Sequence, residues 1–230
     1  MRIVIIGSGN VASVLGRLFK KNDHEIVQVI SRNAAHAEVL ANELNYSFTD
    51  YSGNIDTGAD LYIVAVNDGA LYDLNRSFHL GNKLIMHTAG SVSKDVLKDI
   101  SVNYGVLYPL QSLRKEMEDF AKTLSSKVAR VTDDERLKLH VAAVIVSNFT
   151  NHLYALAEEF CKKENIDFKL LAPLIKETAN RVETFSPAEV QTGPAARNDI
   201  FTLDKHLRLL ANYPKLKYIY LKLTDSIMKN

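Results

Sequence analysis

Cysteine is nearly absent from these 230 residues: Cys161 stands alone, so no disulfide can close within the chain, and a reduced, cytoplasmic setting is the expectation. An excess of one charge is lacking too. Twenty-eight Lys and Arg oppose 27 Asp and Glu, a formal net charge of +1, so no overall field favours nucleic acid or an anionic membrane, and neither is expected as a partner. No apolar run reaches the ~18 residues of a candidate membrane span. The amino terminus enters a strand-like segment directly, without a basic region, apolar stretch and cleavage site. The seven histidines, His24, His36, His79, His87, His140, His152 and His206, never show the tight paired ligand spacing with carboxylates or thiols that a metal site needs, so none is expected. No serine sits in a nucleophile elbow, which leaves triad hydrolysis without support. Repeats and low-complexity tracts are missing as well. What is present, 47% hydrophobic and 24% charged residues, suits a soluble protein with one large core or two smaller ones, and two domains are expected.

Residues 2–6, "RIVII", are apolar on successive positions, as in a parallel strand covered on both faces. "GSGNVASVLGRLFKK" follows, with Val11, Leu15, Leu18 and Phe19 at helical spacing and Lys20 and Lys21 where the helix dipole favours cations. Strand and helix patterns then alternate through "EIVQVIS", "AAHAEVLANEL", "DLYIVAV", "KLIMHT" and "YGVLY". This predicts a Rossmann-like, doubly wound parallel α/β sheet over residues 1–130. From residue 131 to 230 the pattern is all helical, beginning with "DDERLKLHVAAVIVSNFTNHLYALAEEFCKK", and Pro173 should start or kink a helix. Residues 113–132 form a poorly defined junction, short for the extra strand and helix expected to finish the sheet.

Gly7, Ser8, Gly9, Asn10, Val11 and Ala12 give G-x-G-x-x-A between a strand and a helix. The first glycine permits the tight turn, the second lets a pyrophosphate approach the backbone, and the small third residue lets helix and strand pack closely. The helix amino terminus offers N–H groups and a positive dipole end to phosphates. An Asp or Glu about 20 residues on would accept from the ribose diol of NAD. Here the second strand ends Ser31-Arg32-Asn33. A carboxylate would repel a 2′-phosphate, whereas Arg32 and Ser31 can donate to it, which favours NADP; the alternative is an Arg32 that caps a solvated loop. At the end of the strand from Asp60, Val66 and Asn67 sit on the carboxyl edge where open α/β folds bind ligands. Asn67 could touch the ribose, and Asp68 is expected as a helix N-cap. His87, in "HTAGS", reaches the same edge.

On the long helix, at 100° per residue, Ser147 and Asn151 fall within about 20° of His140, with Asn148 and His152 further round. A helix otherwise apolar all round should be buried, so this polar stripe either lines a substrate cavity or forms a hydrogen-bonded network between helices or subunits. The loop "FSPAEVQTGPAARND" adds Gln191, Thr192 and Arg197; Thr192 or Asn198 could cap the next helix, and Arg197 could clamp a substrate carboxylate or form an intersubunit ion pair.

Together "IIGSGNVA", "HTAGS", "YPLQS", "HVAAVIVSNFTNHLYALAEE", "PLIKETA" and "QTGPAARND" resemble the bacterial DUF2520-type family. Its members carry a Rossmann-like domain followed by an uncharacterised helical domain and are described as NADP oxidoreductases. The family is similar in plan to pyrroline-5-carboxylate reductase, whose helical domains pair into dimers with the active site between domains. The resemblance covers nearly the whole chain and implies an NADP cofactor and a homodimer through the helical domain. Hydroxyacid dehydrogenases of similar plan carry a lysine one turn before an asparagine on the first long helix; this sequence has Val144 before Asn148.

The sequence therefore predicts an NADP-dependent oxidoreductase acting on a small carbonyl or imine substrate. His87 and His140 are the candidate proton donors, Asn148 and Asn151 would orient the carbonyl, and Gln191, Thr192 and Arg197 would bind the rest of the substrate. The alternative is a catalytically inactive NADP(H)-binding sensor or assembly protein.

Overall fold

The computed structural model describes residues 1–44, 46–109, 115–125 and 128–228. They divide into two compact units, Met1–Ala143 and Val144–Asn230. The division expected at 130/131 precedes the long helix; the units divide inside it.

The first unit is built on six strands: β1 (Arg2–Ile6), β2 (Glu25–Ile30), β3 (Ser47–Thr49), β4 (Leu61–Val64), β5 (Gly81–His87) and β6 (Ser101–Val106). All pair in parallel, in the order β3-β2-β1-β4-β5-β6. This is the doubly wound order of a Rossmann-like sheet, and it reverses between β1 and β4, where a crevice opens at the carboxyl ends. The expected shortage of elements is resolved by two that sequence reading missed. One is β3, a three-residue edge strand with a largely exposed pattern, too short to show periodicity. The other is a helix within the 113–132 junction.

Alternation along the strands sends side chains to two cores. Ile3, Ile5, Ile63 and Met86 face α1 (Asn10–Lys21), α2 (Ala34–Leu44) and α4 (Lys115–Leu124), burying Leu15, Phe19, Leu40 and Phe120 among them. Phe19 and Phe120 lie 5.6 Å apart between ring centroids, and His24 Nε2 meets Thr123 Oγ1 at 2.9 Å. Val4, Ile6, Tyr62, Val64 and Ile85 face the other way, onto Leu71 of α3 (Asp68–Leu71) and onto Leu74, Phe78 and Leu97.

The last element of this unit is α5 (Asp133–Ala143). Its start is a reciprocal capping box: Thr132 N donates to Glu135 Oε2 at 2.7 Å, and Glu135 N donates to Thr132 Oγ1 at 3.2 Å. Arg136, 4% exposed, ties it to the segment after β5. Its Nε donates to Gly90 O at 3.3 Å, Nη2 to Val92 O, and Nη1 to Asp133 Oδ1 at 2.6 Å. Asp133 Oδ2 in turn accepts from Ser93 Oγ at 2.7 Å.

The second unit opens with a π-helical turn, Val144–Phe149, and continues as α6 (Thr150–Lys163), α7 (Ala172–Thr184), α8 (Ile200–Leu209) and α9 (Pro214–Met228). Pro173 sits in the first turn of α7, as expected for a residue without an N–H to donate. Among its described apolar side chains only Leu156, Cys161, Ala195, Leu203 and Leu210 are buried, whereas Val146, Phe149, Leu170, Leu174 and Phe201 are among those exposed. The expectation that the apolar helix is enclosed is thus corrected for the single chain. The polar stripe also shifts, because the π turn advances fewer degrees per residue than an α-helix, so angles reckoned from His140 do not carry past Val144.

Candidate functional site

Gly7 adopts φ +122°, and a Cβ built on it would lie 2.1 Å from Ala65 O. The chain can therefore bend past β4 only with glycine here. Gly7 N donates to Ile30 O at 2.7 Å and Ala65 N to Ile6 O at 2.7 Å, drawing the ends of β2, β1 and β4 together. Gly9 differs: its backbone is extended at φ −81°, and a Cβ there would meet nothing within 4 Å. The space beside it is open. Gly9 is the N-cap of α1, makes no side-chain cap, and no acidic residue occupies the first turn, which includes Asn10 and Val11. Ala12 is fully buried against the sheet. The helix end thus presents uncapped N–H groups and its positive dipole to a cavity of about 650 Å³.

That cavity is lined by Gly7, Ser8 and Gly9, by Ser31, Arg32, Asn33 and His36, by Tyr51, and by Ala65, Val66 and Asn67. Ser8 Oγ donates to Ser31 Oγ at 3.1 Å, joining the glycine turn to the end of β2. Arg32 is exposed and forms no hydrogen bond or ion pair among the described residues. Burial pushes the Tyr51 hydroxyl up, with the Arg32 charge opposing, and the Tyr51 ring stands edge-on to Phe78 at 5.1 Å. Asn33 lines the cavity but its side chain is engaged: Oδ1 accepts from Ala35 N at 2.9 Å and starts α2. Asn67 is likewise a cap, accepting from Ala70 N at 3.1 Å. The N-cap role expected of Asp68 is therefore taken by Asn67, and Asp68 instead accepts from Ser91 Oγ. His36 and Tyr51 were missed by sequence reading; His36, one turn past Arg32 at the start of a helix, was the findable one.

The carboxyl rim continues across β5 and β6. His87 is enclosed, at 0% exposure, with Nδ1 accepting from Ala89 N at 3.2 Å and Nε2 3.3 Å from Ser93 O. Burial lowers its pKa to about 4, so it is neutral at pH 7. The proton-donor role expected of His87 is corrected on this ground: both ring nitrogens are held by backbone and the ring meets no solvent. His140, half-buried on α5, does reach the rim. Its Nδ1 lies 3.0 Å from the Tyr108 hydroxyl, the rings stand edge to face at 5.8 Å, and a Cβ on Gly90 would lie 2.5 Å from that nitrogen.

The carboxyl-terminal part, residues 107–227, matches the model of a domain of unknown function, DUF2520. The chain belongs to this family. Residues 2–90 of this DUF2520 member match a second model, described as NADP oxidoreductase, coenzyme F420-dependent. A candidate NADP oxidoreductase from Bacteroides fragilis is 36% identical over 100% of this chain and 98% of its own, with a TM-score of 0.91. Two more distant structures share the fold. Pyrroline-5-carboxylate reductase from Streptococcus pyogenes is 16% identical over 100% and 99% of the two chains, TM-score 0.62. An imine reductase from Myxococcus stipitatus, solved with NADP+, is 18% identical over 100% and 92%, TM-score 0.61. No curated protein matches the chain. The Gly90–His140 contact thus joins the last residue of one family match to a helix of the other.

The remaining expected site residues lie in the second unit and are exposed. Asn148 falls in the π turn and Asn151 in the first turn of α6. Gln191 Nε2 donates to Thr192 O at 2.9 Å within its own loop, and Arg197 is exposed just before α8. Neither Thr192 nor Asn198 caps that helix. Asp199 does, accepting from Thr202 N at 3.0 Å and Thr202 Oγ1 at 2.8 Å.

Proposed function

We propose that the chain is an NADP-dependent oxidoreductase that reduces the C=N or C=O bond of a small substrate. The observation that carries this reading is the cavity at the topological switch point, where an uncapped helix end, an open Gly9 and an Arg32 with no hydrogen bond or ion pair among the described residues converge. The residues fit the cofactor. Gly7–Gly9 and the start of α1 would hold the pyrophosphate, Ser31 and Arg32 the 2′-phosphate, and Tyr51 would offer a ring face to the adenine. Bound there, the nicotinamide supplies the hydride. The family model matched by residues 2–90 and the relative from Bacteroides fragilis, both named for NADP, support the cofactor; the imine reductase and pyrroline-5-carboxylate reductase folds favour a C=N substrate. Arg197, Gln191 and Thr192 remain our candidates for substrate binding, and Asn148 and Asn151 for orienting it.

A second copy of the chain completes the protein in this reading. The helical unit leaves Val146, Phe149, Leu174 and Phe201 exposed while burying five apolar side chains among its described residues, too few to stabilise a unit of this size alone. A homodimer through this unit covers them.

Calorimetric titration with NADP+, NADPH, NAD+ and NADH, followed by NADPH oxidation against a panel of cyclic imines, keto acids and aldehydes, tests the proposal. Binding that favours the phosphorylated cofactors, with turnover of at least one substrate, is expected. No heat with any of the four removes the cofactor reading; tight NADPH binding without turnover leaves the sensor.

A further inference from the structure

The carboxyl ends of β4, β5 and β6 are level. Val64 pairs with His87 and His87 with Val106, while Thr88 N donates to Val64 O at 3.1 Å and Leu107 N to His87 O at 2.8 Å. Val66 and Tyr108 each lie two residues beyond these pairs. Two strand spacings therefore separate Tyr108 from the cofactor cavity, roughly 10 Å along one rim. The Asp68–Ser91 hydrogen bond fixes the intervening segment to the residue next to Asn67. Among the described residues along this rim, the other candidate donors are engaged. His87 is enclosed by backbone, Ser91 donates to Asp68, and Ser93 donates to Asp133. Tyr108 is different: half-buried, its hydroxyl meets only the His140 ring among the described residues, and burial, opposed by the Arg136 charge, pushes that hydroxyl up, so it is protonated at neutral pH.

We infer that Tyr108 is the proton donor of the reduction and that His140 is its positioning residue, a role resting on the oxidoreductase reading above. As the substrate carbon accepts hydride, the C=N or C=O π pair moves to the heteroatom, which takes the proton from the Tyr108 hydroxyl. The O–H electrons stay on the phenolate. His140 donates from Nδ1 to that oxygen, a hydrogen bond that strengthens as negative charge develops, and the phenolate regains its proton from water. Three elements hold the pair. The α5 helix carries His140, Arg136 docks that helix on the carbonyls of Gly90 and Val92, and Gly90 leaves room for the imidazole where any Cβ would collide with it.

The test uses the full-length protein, NADPH and the imine, keto acid and aldehyde panel, with 2-methyl-1-pyrroline as the reference imine. Tyr108→Phe removes one oxygen and should fold normally. We expect its kcat to fall about 100-fold or more, the size of a general-acid contribution, with KM and NADPH affinity within about twofold of wild type. His140→Ala should lower kcat about tenfold at unchanged KM, and His140→Asn, which returns a donor near Nδ1, should recover most of it. Gly90→Ala should reproduce the His140→Ala loss with both functional side chains still present. A Tyr108→Phe enzyme turning over at the wild-type rate overturns the inference and leaves the oxidoreductase reading standing. Wild-type protein that binds NADPH and reduces nothing in the panel removes both.

Discussion

Arg136 Nη1 lies 2.6 Å from Asp133 Oδ1, and the same guanidinium donates to the carbonyl oxygens of Gly90 and Val92. One buried cation thus docks the start of α5 on the segment after β5, and with it the helix that carries His140. Removing one partner of such a group leaves the others uncompensated. Arg136→Ala should destabilise the first unit by at least about 3 kcal/mol in urea unfolding. An unchanged midpoint would show that the helix is held by other contacts.

Stability should also respond to pH through His87. Burial lowers its pKa from 6.5 to about 4, so the unfolded chain binds this proton more readily than the folded one. The sign follows: the contribution is complete above pH 6.5, declines as the pH falls, and levels off below about 4. The gap in unfolding free energy between wild type and His87→Asn should narrow over that window, by up to about 3 kcal/mol. A gap independent of pH would place the proton elsewhere.

The two glycines of the turn should separate folding from binding. Gly7→Ala forces a methyl onto Ala65 O at a positive φ, and should lower the melting temperature and abolish NADPH binding together. Gly9→Ala meets open space, so the protein should stay folded to within about 1 kcal/mol while losing cofactor affinity about tenfold or more, because the methyl enters the proposed phosphate cradle. Equal binding by Gly9→Ala and wild type would argue that the pyrophosphate lies elsewhere.

Arg32→Ala should weaken NADPH about 10- to 100-fold and NADH little, the size of charge-assisted hydrogen bonds to one phosphate. Calorimetry on both cofactors measures it, and equal losses for the two would sink the 2′-phosphate assignment.

Phe149→Glu or Phe201→Glu, each placing a charge on an exposed apolar side chain of the helical unit, should shift sedimentation towards the monomer. A wild-type protein that sediments as a monomer at micromolar concentration would exclude the proposed dimer.

Much of the sheet-bearing first unit was legible because its signals are local. A doubly covered strand must be apolar on successive residues, a tight turn must carry glycine, and a cation stands where NAD binders carry an acid. These fixed the doubly wound sheet, the Gly7–Gly9 turn and the interest of Arg32. The edge strand β3 escaped because three residues show no period. The α5 capping box, Thr132 to Glu135, was readable but overlooked.

Sequence by itself determined the α/β order, the switch from strand to helix patterns and the family motifs, since each depends on neighbours a few residues apart. Tertiary structure alone decided which residues meet. His87 and His140 looked alike as titratable groups, yet packing enclosed the first in backbone and set the second against Tyr108, 32 residues away in sequence. Arg136, which no sequence pattern marks, is held by carbonyls of Gly90 and Val92, more than 40 residues away in sequence. The π turn, which changes helix phase without a proline or glycine to announce it, moved the polar stripe. Burial and hydrogen-bond partnership are properties of the folded neighbourhood, and periodicity cannot encode them.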